Sequence, residues 1–315
     1  MKLKKLFAGI VAVAMMATMA IPGFAAAGAG SVTPSTVTNG GQVPIKKVIT
    51  GNDYGSEIVK LEVDESGRAV LVKHSYYTTA NAPTISVVET AGVTITAPTA
   101  PATTAEGTLH IQLPNYDRVG TYVYKFHEVA GATAGMTYDT SSKWLVVNVY
   151  NDVDNTSKEI KANSNLLVNA VVLSSDPTDA LNNDGNLSSM SEKKIDKIDN
   201  KYEAGTYTVK KLVKGNMSDR QKEFNFRVTF VKAKDATIPG IKYDGNRLTL
   251  DKWTAVEGTT DKVFATTDIT LTHNDPKVFE NIPYGVTVSV VELDDNKKAV
   301  ENNTYGEYTV SYENN

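Results

Sequence analysis

The chain has 315 residues, a formal net charge of −4 at pH 7 and no cysteine. A mildly acidic chain is a poor candidate for binding nucleic acid or anionic lipid through bulk charge. The absence of cysteine excludes disulfides, thiolate metal sites and cysteine nucleophiles, so packing or another kind of cross-link must hold the fold together.

Residues 1–27 have the three parts of a secretory signal peptide. "MKLKK" is a basic n-region, "LFAGIVAVAMMATMAI" is an apolar run shorter than a comfortable membrane span, and the small residues from Ala25 to Ala27 suit signal peptidase. The remaining chain is long enough for two domains of ordinary size. Residues 28–42 are rich in Gly, Ser and Thr and are expected to form a flexible lead-in.

The rest of the chain has the pattern of β-strands in almost every segment. Apolar residues alternate over short runs that are bounded by Gly, Asn and Asp, as in "FNFRVTF", where Phe224, Phe226 and Phe230 share one face. No segment has a sustained helical period, and "SSDPTDALNNDGNLSSMSEKK" is expected to be a loop. The pattern predicts an all-β protein with two tandem antiparallel β-sandwich domains, residues 43–202 and 203–315.

Two short segments nearly repeat each other. "PIKKVITGN" and "TVKKLVKGN" align with Lys47 opposite Lys211, and a glutamate follows each of these lysines after 81 residues, at Glu128 and Glu292. This shared spacing supports two copies of one fold. A boundary is expected near "NKYEAGTYTV", where the strand pattern restarts.

Strand parity turns these charged residues toward the core. Alternate side chains of a strand point to the same face, and by this rule four charged residues share faces with apolar neighbours: Lys47, Glu128, Lys211 and Glu292. The other lysine of each pair, Lys46 or Lys210, faces the opposite way and is expected to be solvated. A buried amine and a buried carboxyl are costly unless they are paired or neutral.

A lysine and a glutamate in this position can react with a nearby amide. Desolvation lowers the pKa of the amine and raises that of the carboxyl, which gives a neutral nucleophile and a proton donor. In "KIDNKY" parity turns Asn200 inward, and attack on its amide carbon would expel ammonia and leave a Lys–Asn isopeptide bond. Taken singly, the residues have ordinary readings: a lysine that extends to solvent, a salt-bridged glutamate and a turn asparagine.

Several segments, in the same order, resemble the backbone pilins of sortase-assembled Gram-positive pili, of the streptococcal type with tandem Ig-like domains. They are "GTYVYKFHEVAG", "GMTYDTSSKWLVVNVYND", "KIDNKYEAGTYTVKKLVKGNMSDRQKEFNFRVTF" and, more weakly, "FENIPYGVTVSVVELDD". The resemblance implies Ig-like domains that each carry a self-formed Lys–Asn bond promoted by a glutamate. The matching residues are Lys47, Glu128 and Asn200 in the first domain and Lys211 and Glu292 in the second.

The resemblance leaves the second bond incomplete. Asn314 has the required parity but follows Glu292 by only 22 residues, against 72 between the glutamate and the asparagine of the first domain. The second domain is therefore expected to be truncated, with the strand that carries its asparagine missing, and no LPXTG-like sorting motif is present. The resemblance also implies a sortase-linked lysine shortly before the first asparagine, and Lys193 occupies about that place, with Lys194 close behind.

These observations predict a secreted structural protein of a Gram-positive cell wall, the subunit of a covalently polymerised pilus. It is expected not to be an enzyme and to need no cofactor or metal. Its partners would be identical subunits joined by sortase, the sortase itself, and minor pilins or host ligands, with no nucleic acid. The alternative is a wall-anchored adhesin or stalk that has the same stapled domains and does not polymerise. A secreted carbohydrate-binding module would instead need an aromatic ligand face.

Overall fold

The structure is a computed structural model of the chain. It describes residues 35–312 except 155, 158, 162–164, 183–192, 216–217, 301–303 and 306–307. The expected signal peptide, residues 1–27, and Asn314 lie outside the described residues. Among the residues that are described, no helix is long and apolar enough to cross a membrane.

The first part of the chain forms two packed β-sheets. Its elements, in chain order, are β1 (Ser35–Val37), β2 (Gln42–Thr50), β3 (Ser56–Val63), β4 (Ala69–Lys73), β5 (Ser86–Val87), β6 (Val93–Thr96), β7 (Thr104–Gln112), β8 (Gly120–Val129), β9 (Met136–Thr137), β10 (Lys143–Asn151), β11 (Leu166–Leu173), the helix α1 (Thr178–Asn182), β12 (Lys194–Ile195) and β13 (Lys197–Tyr202). One sheet has the order β1-β11-β10-β8-β3-β6, with β12 beside β11 and β4 beside β8. The other has the order β5-β7-β2-β13-β9.

The two sheets enclose an apolar core, and the helix covers the outer face of one of them. Leu145 and Val147 of β10 belong to the core between the sheets, whereas Val146 and Val171 pack with Leu181 of α1 on the other side. Burial on both faces explains why β10 has an almost continuous apolar sequence. The helix lies in a segment that the sequence predicted to be a loop, because five residues are too few to show a helical period.

The first and last long strands of this sandwich, β2 and β13, are neighbours. β2 and β13 pair in parallel, with Ile198 opposite Lys47 and Asn200 opposite Ile49, whereas the other strand pairs described are antiparallel. The sequence predicted antiparallel sandwiches, and this pair differs because the chain crosses between sheets before it returns. The parallel pair places the first long strand and the last strand of the sandwich side by side in one sheet.

Part of the segment predicted to be a flexible lead-in is a strand. β1 pairs with β11, with Ser35 opposite Ala170 and Val37 opposite Val168. Within residues 28–42, the described strand structure therefore begins before β2. Its short length and polar sequence gave no alternating pattern from which a strand could be predicted.

The second part of the chain again forms two sheets around an apolar core. Its strands are β14 (Ala204–Val209), β15 (Phe224–Ala233), β16 (Lys242–Tyr243), β17 (Asn246–Arg247), β18 (Thr254–Ala255), β19 (Lys262–Leu271), β20 (Lys277–Pro283), β21 (Thr287–Leu293), β22 (Thr304–Tyr305) and β23 (Tyr308–Thr309). The sheets have the orders β14-β20-β16-β17 and β18-β19-β15-β21, and β22 and β23 form a separate antiparallel pair. Phe230 of β15 and Phe279 of β20 meet between the sheets, with ring centroids 5.5 Å apart.

A short connection and a hydrogen-bonded asparagine join the two parts. Glu203 is the one residue between β13 and β14. Asn281 accepts a hydrogen bond from the Tyr202 hydroxyl at 2.9 Å and donates to the carbonyls of Asp53 at 2.9 Å and Gly240 at 2.7 Å. This side chain therefore contacts both parts of the chain at their junction.

Candidate functional site

The adjacent lysines of β2 lie on opposite faces of the strand. Lys47 shares the buried face with Val43 and Ile45 and is only 1% exposed. Lys46 lies at the surface, where its Nζ is 2.8 Å from Glu106 Oε1. Because side chains alternate along the strand, the Lys47 amine lies in the core and the Lys46 amine lies in solvent.

Glu128 reaches the same point from the opposite sheet. It lies on β8, is 1% exposed, and both of its carboxyl oxygens are engaged. Lys47 Nζ donates to Glu128 Oε2 at 2.6 Å, and Asn200 Nδ2 donates to Glu128 Oε1 at 2.6 Å. One buried carboxyl group therefore holds the amine and the amide together.

Asn200 presents its amide from the strand next to Lys47. It is 2% exposed and lies on the buried face of β13 between Ile198 and Tyr202. Its Oδ1 accepts a hydrogen bond from the backbone N–H of Asp139 at 2.9 Å. The structure thus brings together the three residues that the sequence placed on inward faces of the first domain.

Burial sets the protonation of this group. Desolvation lowers the pKa of Lys47 from its ordinary value of 10.5, against the opposing effect of its hydrogen bond to Glu128. Desolvation also raises the pKa of Glu128 from 4.5, against opposing hydrogen bonds from Lys47 and Asn200. Both directions favour the neutral pair, because the charged forms lose more on leaving water than they regain from each other.

A neutral amine, a carboxylic acid and a primary amide suit an amide exchange. The amine can attack the amide carbon, and the carboxyl group can carry a proton from the attacking nitrogen to the leaving nitrogen. The products are a secondary amide and ammonia. The geometry therefore suits a single intramolecular reaction that joins β2 to β13.

The second part of the chain contains the corresponding lysine and glutamate. Lys211 Nζ donates to Glu292 Oε2 at 2.6 Å, but the Lys211 side chain is 14% exposed, against 1% for Lys47. Glu292 Oε1 is buried and has no hydrogen-bond partner among the described residues. The Lys211 amine lies 4.3 Å from the centroid of the Phe224 ring. The amide that completes the first site has no described counterpart here, and Asn314 lies outside the described residues.

Lys193, the lysine expected to take part in linkage, is exposed and lies just before β12. Its backbone carbonyl accepts hydrogen bonds from Ser174 N at 2.8 Å and Ser174 Oγ at 3.1 Å. Lys194 is instead buried, at 7% exposed. The two adjacent lysines therefore differ in access to solvent in the same way as Lys46 and Lys47.

Sequence reasoning missed two groups beside the first site. The backbone N–H of Asp139 binds the amide oxygen of Asn200, and Lys143 is buried next to Asp139. A backbone N–H donor could not be predicted, because it does not depend on the residue type. The buried lysine had a signal, since "KWLVVNV" places Lys143 in phase with the inward residues Leu145 and Val147, but its position at the strand start made solvent exposure the ordinary expectation.

The comparisons with known proteins match both parts of the chain. The model of a family described as a Spy0128-like isopeptide-containing domain matches residues 43–203. A second model, described only as a domain of unknown function, matches residues 205–315. No curated protein matches the chain.

Solved structures of major pilins are also similar to the chain. The major pilin of Streptococcus pyogenes is 19% identical, with 81% of this chain and 83% of that chain covered and a TM-score of 0.40. The T3.2 major pilin of Streptococcus pyogenes is 17% identical, with 84% and 85% covered and a TM-score of 0.41. The T-13 major pilin of the same species is 15% identical, with 82% of each chain covered and a TM-score of 0.39.

Proposed function

Because the chain belongs to the family of Spy0128-like isopeptide-containing domains, we propose that it is a structural subunit of a covalently polymerised cell-surface pilus. Its domains are stapled by intramolecular Lys–Asn isopeptide bonds. In the first domain, residues 43–202, Lys47 and Asn200 form the bond and Glu128 promotes it. Each molecule reacts once and consumes its own side chains, so the protein is a scaffold and not an enzyme.

One observation carries the stapling proposal. The buried carboxyl group of Glu128 binds Lys47 Nζ through one oxygen and Asn200 Nδ2 through the other, each at 2.6 Å. An ordinary salt bridge would explain only the contact between Glu128 and Lys47. It would not explain why Asn200 binds the other oxygen of the same carboxyl group. The neutral pair favoured by burial is also the reactive pair.

The position of the bond explains its mechanical use. β2 and β13 are the first and last long strands of the first sandwich and lie side by side in one sheet. A covalent bond between them prevents a pulling force from peeling either strand away. By the loop-closure argument used for disulfides, closing a loop of this length also adds about 4–5 kcal/mol to stability.

The second domain, residues 203–315, carries an equivalent half-site in this proposal. Lys211 and Glu292 would form the second bond with an asparagine whose amide lies beside Glu292 Oε1, which has no described hydrogen-bond partner. Asn314 is one candidate, and an asparagine on a further strand is the other.

Polymerisation would use an exposed lysine near the end of the first domain. Lys193 is exposed and precedes β13, so its amine is available to a sortase that joins it to the next subunit. The protein would then act at the cell wall of a Gram-positive bacterium after secretion, with sortase and identical subunits as partners.

A ladder assay tests the polymer. The chain, with a sorting signal at its C-terminus, is expressed with a class of sortase that assembles pili, and wall extracts are separated under denaturing conditions. The pilus proposal predicts a ladder of high-mass species that Lys193→Arg removes and Lys197→Arg, at another exposed lysine, leaves intact. A single wall-linked species in all three would support the non-polymerised adhesin or stalk instead.

A further inference from the structure

The turn that follows β9 lies against the amide of Asn200. β9 pairs with β13, with Met136 opposite Tyr202 and Thr137 opposite Lys201. This pairing brings the next residues of the chain, 138–142, over the inward face of β13. At the end of the pair, the Asp139 N–H donates to Asn200 Oδ1 at 2.9 Å.

Lys143 holds this turn in place from within. Its side chain is 2% exposed, and its Nζ donates to Asp139 Oδ1 at 2.9 Å, to the Ser141 carbonyl at 2.9 Å and to Ser141 Oγ at 2.5 Å. The Ser141 N–H and hydroxyl also donate to the Asp139 carboxylate. All three protons of the buried ammonium can therefore be bound inside one turn.

The charges of the turn cancel beside the reacting groups. Burial alone would raise the pKa of Asp139, but hydrogen bonds from Ser141 and Lys143 outweigh it and lower that pKa. Asp139 is therefore a carboxylate, close enough that, after burial, its charge is a further cause of the raised pKa of Glu128. Lys143 neutralises this carboxylate, so negative charge on Asn200 Oδ1 does not meet an unpaired anion.

We propose that the 138–142 turn is the oxyanion hole of the isopeptide reaction, with the Asp139 N–H as its donor and Lys143 as its positioning residue. The inference rests on the proposed function. It assigns the amide oxygen to the turn and leaves proton transfer to Glu128, whose two oxygens already bind the two nitrogens. A donor fixed before reaction stabilises the charge that develops on the oxygen without reorganising.

The steps balance in protons and electrons. Neutral Lys47 Nζ bonds to Asn200 Cγ, and the carbonyl electron pair moves to Oδ1, where the Asp139 N–H binds it. Loss of amide resonance frees the lone pair of Nδ2, which takes the proton of the Glu128 carboxylic acid. The carboxylate then accepts the extra proton from Nζ. The Cγ–Nδ2 bond breaks, ammonia leaves and the C=O bond re-forms.

The test times bond formation in the full chain. Chain purified in denaturant is first checked for its unreacted mass and then refolded. Samples are quenched in acid, and the loss of ammonia is followed by intact mass, while tryptophan fluorescence follows folding. Lys143→Met removes the positioning amine. The matched control is Lys232→Met, because Lys232 is also buried, at 9% exposed, but its Nζ donates to the carbonyls of Ala233, Lys234 and Ala236 in the second domain.

We expect Lys143→Met to fold at the wild-type rate and to form the bond on the order of 10- to 100-fold more slowly, as loosening an oxyanion donor does. Lys143→Arg should recover part of the rate, and Lys232→Met should react at the wild-type rate. Equal rates for Lys143→Met and the unmodified chain would overturn the inference while leaving the proposed function intact. A wild-type chain that never loses ammonia would overturn both.

A second variant covers failure to fold. If Lys143→Met leaves Asp139, whose side chain is 34% exposed, as an unpaired anion and the chain does not fold, Asp139→Asn/Lys143→Met removes both charges and keeps the backbone N–H. Slow bond formation in the folded double variant supports the role of Lys143 in holding the turn. A wild-type rate in that variant would overturn it.

Discussion

The two halves of the molecule place the same lysine–glutamate pair in different surroundings. In the first, the Glu128 carboxyl binds both Lys47 and Asn200 and the amine is sealed from solvent. In the second, Glu292 binds Lys211 through one oxygen, and the other oxygen is buried without a described partner. A buried lysine–glutamate pair alone therefore does not provide the three groups that the proposed reaction needs.

The difference shows what the third residue contributes. An inward amide satisfies the second carboxyl oxygen and supplies the electrophile at the same time. Without it, a buried acceptor carries its desolvation cost uncompensated, typically about 1–3 kcal/mol. The same two charged residues are thus expected to stabilise one half of the molecule after reaction and to destabilise the other.

The largest effect should come from removing the first bond. Lys47→Ala or Asn200→Ala leaves the chain at its full mass, and calorimetry should show the first domain melting lower by on the order of 10–20 °C, since about 4–5 kcal/mol of loop-closure stabilisation is lost. Lys46→Ala, at the exposed neighbour, should keep both the cross-link and the melting temperature. A Lys46→Ala chain that melts as low as Lys47→Ala would break the distinction between inward and outward lysines.

A paired substitution sharpens the comparison between the two halves. Lys211→Met/Glu292→Met should raise the unfolding free energy of the second domain by about 1–4 kcal/mol, because apolar residues replace a buried ion pair whose Glu292 Oε1 has no described partner. Lys47→Met/Glu128→Met should lower that of the first domain, because it abolishes the bond. Urea unfolding followed through Trp144 and Trp253, one in each half, measures both. The same sign in both halves would contradict the comparison.

The junction between the halves should contribute less. Asn281 has a φ of 54° and makes three side-chain hydrogen bonds across or beside the junction. Asn281→Gly keeps that backbone conformation and removes the bonds, and should cost about 1–3 kcal/mol in urea unfolding. The control is Asn274→Gly at an exposed position with a φ of 64°. An equal loss of unfolding free energy in the two variants would show that the Asn281 hydrogen bonds do not stabilise the junction.

The smallest effect is a pH dependence in the unreacted site. In Asn200→Ala, folded Glu128 keeps a proton that the unfolded chain loses above pH 4.5, so stability falls as pH rises through its raised pKa. Folded Lys47 lacks a proton that the unfolded chain binds below pH 10.5, so stability rises again from its lowered pKa upward. Stability relative to Asn200→Ala/Lys47→Met/Glu128→Gln should therefore pass through a minimum between the shifted pKa values of the two groups, and a flat difference would argue against both shifts.

The sequence contained enough to place the three residues of the first site on inward faces. Lys47, Glu128 and Asn200 each lie in a clearly alternating strand, where parity decides which face a side chain occupies. Strand partners are different, because parity does not say which strand lies beside which. The sequence did not predict the parallel pairing of β2 with β13.

Other features depend on tertiary contacts that leave no local pattern. The Asp139 N–H is a backbone group, and its role follows from where β9 pairs. Lys211 lies beyond the end of β14, which is why it is more exposed than parity alone predicted. That Glu292 Oε1 has no partner among the described residues is visible only once the distances are known.

The central claim is the covalent bond between Lys47 and Asn200, and intact mass with peptide mapping tests it most directly. The purified chain should be lighter by one ammonia for the first domain. It should also yield a branched peptide in which the Lys47 segment is joined to the Asn200 segment. A full-mass chain whose Lys47 and Asn200 peptides are recovered separately would contradict the account and leave the shared carboxyl of Glu128 as a structural contact.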